Sequence, residues 1–239
     1  MNQSDLNHDR QLTDLLANAE SYFRYFQAVY GDKIYLEAEI DSISLTRQER
    51  KQLGFANLGY EIRHCRRCEL YKTRSQVVIG AGNPDSKILL IGEAPGFNED
   101  KQGKPFVGEA GNLLDKILKS IHLRREDIYL TNVLKCRPPE NRDPEPHEQK
   151  ACLNFLMDQL ELIQPRFILL LGRVAAQALL KTDQSLVQLR QKIHRIGNAR
   201  AVVTYHPAAL LRFPKYKRDT WEDVQIFQKL LRGDDDLQR

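Results

Sequence analysis

No run of the 239 residues approaches the roughly 18 consecutive apolar positions that a membrane-spanning helix requires. The opening segment, Met1–Arg10, is polar, with no apolar stretch of the secretion-signal kind behind it. A cytoplasmic protein with no membrane association is therefore expected. Cysteine is scarce as well, with four in the chain. In a reducing compartment they are expected to be metal ligands or buried thiols, not disulfides. Neither G-x-G-x-x-G nor G-x-x-x-x-G-K-[ST] occurs, which removes the two common glycine-rich phosphate cradles. Internal repeats and low-complexity tracts are also lacking, so a solenoid is excluded.

What is present is a chain long enough to bury a core without covalent staples, most simply as one domain with an appendage. The first 60 residues hold 6 Lys/Arg against 9 Asp/Glu, a net −3, while residues 61–239 hold 30 against 23, a net +7. A basic main body suits a phosphate-rich partner.

Leu12, Leu15, Leu16, Ala19, Tyr22, Phe23, Phe26 and Val29 recur at three- and four-residue steps and predict an amphipathic helix over 11–30. Its apolar face needs a surface to cover, either the main domain or another protein. Gly31–Gly54 reads as a polar connector, giving an N-terminal helical extension over 1–55 and a main domain over 56–239. Within that domain four short runs rich in Ile, Leu and Val, at Lys87–Ile91, Ile128–Val133, Phe167–Leu171 and Ala201–Tyr205, alternate with helical patterns at Gly111–Ile121, Pro146–Ile163, Arg173–Lys181 and Trp221–Leu231. This alternation predicts a three-layer α/β/α fold around a mainly parallel sheet. Ligands of such sheets bind beyond the carboxyl ends of the strands, which directs attention to Gly92–Gly96, Thr131 and Asn132, Gly172, and His206 with Pro207.

Cys65 and Cys68 form a C-x2-C pair flanked by Arg63, Arg66, Arg67 and Lys72, cations that favour thiolate. Cys136 and Cys152 can join them only once the sheet has formed. Buried thiols, a structural zinc and an iron-sulfur cluster all remain open on spacing alone. The close grouping of three cysteines found in ferredoxin-type redox proteins is missing. The loop from Gly92-Glu93-Ala94-Pro95-Gly96 through Glu99 and Asp100 carries carboxylates that would repel a phosphate. It suits a developing cation or a positioned water.

Gly92 to Gly96, Lys104-Pro105-Phe106-Val107-Gly108, Thr131-Asn132 with Lys135-Cys136-Arg137-Pro138-Pro139, Asn141-Arg142-x-Pro144, and His206-Pro207-Ala208, in this order, resemble the family 4 uracil-DNA glycosylases. The match runs from about Cys65 to Leu231. The resemblance implies hydrolysis of the uracil N-glycosidic bond in single- or double-stranded DNA, and a structural [4Fe-4S] cluster held by Cys65, Cys68, Cys136 and Cys152. It further implies a uracil pocket in which Phe106 stacks on the flipped base, Asn132 reads its O4 and N3-H edge, and Gly92, Ala94 and Glu99 shape the site, Glu99 helping to exclude the thymine methyl. Glu93 would face the oxocarbenium-like sugar and orient water, His206 would donate to the departing uracil, and Asp100 would serve as an auxiliary carboxylate. Ala209-Leu210-Leu211-Arg212 and Lys215 offer an apolar wedge with cations for the DNA backbone. Taken singly, Phe106 could be a core aromatic, Asn132 a turn former, and Leu210–Lys215 an ordinary helix start. Relatives that capture uracil-DNA covalently carry an added His-containing loop after the Asn motif. Lys135–Pro144 has no His, so turnover is expected. The competing readings are a non-catalytic nucleic-acid-binding module with a structural metal, and a related glycosylase of broader damaged-base range.

Overall fold

The four aliphatic runs form strands because each is buried from both sides, where a continuous Ile/Leu/Val surface removes the most apolar area from water. A computed structural model describes residues 46–233, and the helix expected over 11–30 lies outside them. The strands are β1 Ala81–Gly82, β2 Ile88–Gly92, β3 Tyr129–Asn132, β4 Phe167–Leu171, β5 Ile193–Ile196 and β6 Ala199–Thr204. They make one sheet in the order β1-β3-β2-β4-β6-β5. Its four central strands are parallel, as expected, and β1 and β5 close the two edges in antiparallel pairing.

Successive side chains of a strand face opposite ways, and the core divides accordingly. Leu89, Ile91, Ile168, Leu170, Ala201 and Val203 face one side. There they meet Leu58 and Ile62 of α1 (Arg47–His64), Phe155 and Leu156 of α4 (Pro146–Ile163), and Ala175 and Ala176 of α5 (Arg173–Leu180). Leu90, Leu130, Leu169, Leu171 and Val202 face the other, against Leu114 and Leu118 of α3 (Glu109–Ser120) and Val224, Phe227 and Leu230 of the last helix, Tyr216–Arg232. The result is the three-layer α/β/α arrangement. Among the described residues no helix is long and apolar enough to cross a membrane.

One segment differs from the sequence reading. Residues 47–54, read as connector, are the first turns of α1, which continues unbroken to His64. Thr46 and Glu49 begin it with a reciprocal cap: Thr46 N–H donates to Glu49 Oε2 at 2.7 Å, and Glu49 N–H donates to Thr46 Oγ1 at 3.2 Å.

β2 has β3 on one side and β4 on the other, so chain order reverses at its carboxyl end. Clefts open at such points. The loops after β2, β3 and β6, with α2 (Phe97–Gln102) and α7 (Pro207–Arg212), gather there.

Candidate active site

Gly92 ends β2 in register with Asn132, which ends β3. A Cβ on Gly92 would lie 2.6 Å from Phe106 Cζ, 3.4 Å from His206 Nε2, and closer still to Asn132 Oδ1. Only glycine lets three side chains, one from the end of β3 and two from loops, converge there. They meet at a cavity of about 330 Å³ whose walls include Glu93, Ala94, Glu99, Phe106, Asn132 and His206. That volume lies in the range of small-molecule sites.

Phe106 contributes a ring stacked near His206, centroids 5.8 Å apart and planes 29° from parallel. Its backbone sits at φ 54°, a left-handed conformation that a bulky residue adopts only under constraint. Two constraints are evident. Arg125 donates through Nη2 to the Phe106 carbonyl and through Nη1 to that of Pro105 at 3.4 Å, while its Nε is paired with Asp115 at 2.5 Å. Gly111 passes so close that a Cβ there would overlap the Phe106 carbonyl. Glu99 adds a third from the front, its Oε1 accepting from Val107 N–H and Gly108 N–H at 2.8 Å each. Glu99 thus lines the cavity and also pins the loop that carries the ring.

Asn132 is 2% exposed, and its Oδ1 has no hydrogen-bond partner among the described residues. A buried acceptor left alone costs about 1–3 kcal/mol, so it marks a place where a ligand donor belongs. His206 caps α7: Ala208 N–H donates to its Nδ1 at 3.2 Å. Burial lowers the imidazole pKa to about 4, with Arg212 also lowering it and Glu99 opposing. The ring is therefore neutral at pH 7, and with Nδ1 accepting, the proton is on Nε2, the atom beside Gly92. Glu93 is shifted the other way, to about 6, by burial and then by Asp143, against Arg173 and Arg212. A carboxylate that ionises near neutrality and a neutral N–H donor thus share one cavity.

Other residues named from the sequence fall elsewhere. Asp100 is buried outside the cavity wall, and both its oxygens accept from Ser75 N–H at 3.0 Å, so this carboxylate holds the chain before β1. Leu210 is 2% exposed and faces the interior; Leu211 is 45% exposed and is the leucine available as a wedge. Arg212 lines the cavity, whereas Lys215 lies outside its wall, with its ammonium 5.3 Å from the centre of the Tyr216 ring. The sequence reading assigned no site role to Asn141, Asp143 and Phe213, which also line the cavity. Asn141 stands at φ 56°, a strain at the mouth that the Pro-Pro-Glu-Asn-Arg run could have signalled.

The four cysteines line a second, small cavity together with Arg67, Arg74 and Lys135. Arg74 Nη1 donates to Cys136 Sγ at 3.1 Å and Lys135 N–H donates to Cys152 Sγ at 3.3 Å. Burial raises the thiols of Cys68 and Cys136, and that of Cys152 to about 11. Among the described residues no three His, Cys, Asp or Glu side chains form a group fit for a single metal ion. The Lys135 ammonium, itself lowered to about 8 by burial, donates to Thr131 Oγ1, the Asn132 carbonyl and Gln159 Oε1 at 2.8, 2.7 and 2.6 Å. One residue therefore touches the cysteine cavity through its amide and the base of Asn132 through its side chain.

Residues 79–227 match the family model of the uracil DNA glycosylase superfamily. The chain is 44% identical over 178 residues to a type-4 uracil-DNA glycosylase of Archaeoglobus fulgidus, covering 71% of this chain and 89% of that protein. It is 40% identical over 184 residues to that of Thermotoga maritima (75% and 94%) and 43% over 180 residues to that of Saccharolobus solfataricus (72% and 83%). The matched span contains every wall of the 330 Å³ cavity, and on both grounds the chain belongs to the type-4 group of the uracil-DNA glycosylase superfamily.

Proposed function

We propose that this protein hydrolyses the bond between C1′ and N1 of deoxyuridine in DNA, releasing uracil and leaving an abasic site for repair. The observation that carries the reading is the buried, unpartnered Oδ1 of Asn132 beside Gly92 and the Phe106 ring. A base extruded from the DNA stack would lie against Phe106 and give its N3-H to Asn132 Oδ1, while the amide NH2 donates to O4. Cytosine offers no N3-H, so the acceptor would stay unpaired and the base would be rejected.

As the C1′–N1 bond lengthens, positive charge gathers on the sugar and negative charge on the base. Ionised Glu93 stabilises the former and orients a water whose oxygen bonds to C1′ as one of its protons leaves to the carboxylate. His206 Nε2–H, already neutral, donates to uracil O2, and the anion later takes a proton from solvent. A neutral donor suits this step because it strengthens as charge develops and binds the uncharged ground state only weakly. Leu211 and Arg212 are the wedge and a phosphate contact.

The cysteine cavity fits an iron-sulfur cluster. Its walls offer four thiols and three cations with no imidazole or carboxylate, an all-sulfur ligand set of the kind that holds such clusters. When bound, a [4Fe-4S] group would cross-link the segment after α1, the β3 exit and α4, with no part in bond cleavage. The deciding experiment incubates the purified protein with a labelled uracil-containing oligonucleotide, single- and double-stranded, and scores abasic sites. Cleavage at uracil and not at thymine or cytosine is expected; no abasic sites on any strand would overturn the reading. Iron and inorganic sulfide in the same preparation test the cluster, and stoichiometric zinc would replace it.

A further inference from the structure

Phe97 opens α2 directly after Gly96, a residue of the cavity wall, and its ring is 48% exposed. Two cations attend it. Lys101, one turn later in α2, places Nζ 4.5 Å from the ring centre, and Arg137, from the loop after β3, places its guanidinium carbon at 5.1 Å. Arg137 Nε also donates to Asn141 Oδ1 at 2.7 Å, and Asn141 with Pro138 lines the cavity. The ring thus bridges the two loops that frame the mouth. Among the described residues neither Lys101 nor Arg137 is paired with a carboxylate, whereas Arg142 and Arg173 at the same mouth pair with Glu148 and Asp143.

An exposed aromatic ring with unneutralised cations beside it is how proteins hold single-stranded nucleic acid: a base stacks on the ring and the cations take phosphates. We propose that Phe97, Lys101 and Arg137 form the platform for the nucleotide adjacent to the extruded deoxyuridine, its base stacked on Phe97 and its flanking phosphates held by Lys101 and Arg137. The proposal rests on the cavity being the uracil site. Extruding a nucleotide breaks stacking on its neighbour as well, and a protein ring at the mouth restores one face of that loss. In the free protein the two cations cover the ring; phosphates attract them more strongly, so DNA would draw them off and leave the ring to the base.

The test uses full-length protein and single-stranded oligonucleotides with one uracil, carrying natural neighbours or an abasic spacer on the 5′ or the 3′ side. Phe97→Ala is expected to weaken binding to the natural strand about tenfold, the size of one lost base stack, with the loss in binding and not in the saturated single-turnover rate. Phe97→Trp should restore it. On the strand whose spacer removes the stacked neighbour, wild type and Phe97→Ala should bind alike. Lys101→Ala and Arg137→Ala should each lower the salt slope of binding by about 0.7. Equal affinity of wild type and Phe97→Ala for the natural strand, or the same tenfold gap on both spacer strands, would overturn the platform. Uracil excision by wild type reports separately on the cavity. Thermal melts of each variant distinguish misfolding, and Phe97→Trp binding as poorly as Phe97→Ala in a folded protein would also count against stacking.

Discussion

Replacing Glu93 by Gln separates what this carboxylate costs the fold from what it gives the reaction. Burial and Asp143 raise its pKa from 4.5 to about 6 in the folded protein. Between those values the folded state binds more protons than the unfolded state, so the carboxylate makes stability fall as pH rises through the window and leaves it lower above about pH 6. The displacement corresponds to about 2 kcal/mol. Gln keeps the shape and cannot ionise. The stability advantage of Glu93→Gln over wild type should therefore grow by about 2 kcal/mol between about pH 4 and about pH 7.5, or about 4–8 °C in Tm for a chain of this size. His206, shifted from 6.5 to about 4, titrates in the same range with opposite sign, but it does so in both proteins and cancels. Excision should change in the reverse sense. The wild-type single-turnover rate should rise with pH through about 6 and level off, and Glu93→Gln should be slower by about 10² to 10³ with no such rise. Denaturation curves at the two pH values and single-turnover rates across the range measure both effects. Parallel stability profiles for the two proteins, with a wild-type rate flat through about pH 5 to 7, would refute a burial-raised carboxylate at this position.

His206→Ala should lower the single-turnover rate by about 10² to 10³ while the Kd for uracil-DNA changes much less; a variant that binds poorly yet cleaves normally at saturation would make this histidine a DNA-positioning group. Asn132→Asp should weaken uracil excision and shift preference toward cytosine, whose amine can donate to the new carboxylate; unchanged uracil activity would place Asn132 outside the recognition edge. Gly92→Ala should abolish excision in a folded protein, because the added methyl enters the space shared by Asn132, Phe106 and His206, and full activity there would move the uracil site elsewhere. Cys136→Ala should lose the bound iron and much of the soluble yield, as assayed by iron content and gel filtration; retained iron would remove Cys136 from the ligand set.

Strands β2, β3, β4 and β6 were legible because burial on both faces forces unbroken aliphatic runs. The edge strands were not, since β1 is two residues long and β5 has no fully buried position, with Ile193, His194 and Ile196 half-buried and Arg195 exposed. The turn that joins β5 to β6, Gly197-Asn198, with Gly197 at φ 55°, was a hairpin signal in the sequence. The start of α1 was equally visible as Thr46-x-x-Glu49. At the site, the residues ending strands could be named because the parallel sheet dictates where they meet. Which of Leu210 and Leu211 points outward could not, because adjacent leucines of one helix differ only in what packs against them. The partners of Asp100 were hidden for a similar reason: the amides of Ser75 and Gln76 lie about 25 residues earlier and reach it only in the folded chain.

The hold on Phe106 reaches outside the cavity. Its unfavourable backbone angle is maintained by Arg125, whose orientation depends on Asp115, and the two side chains are 33% and 46% exposed. Mobile ions screen a pair so placed, while they barely reach the buried ring it supports. Ionic strength therefore has two points of entry into this reaction: one at the DNA phosphates, and a second, independent of DNA, at an ion pair on the protein's own surface that sets how firmly the stacking ring is presented to the base.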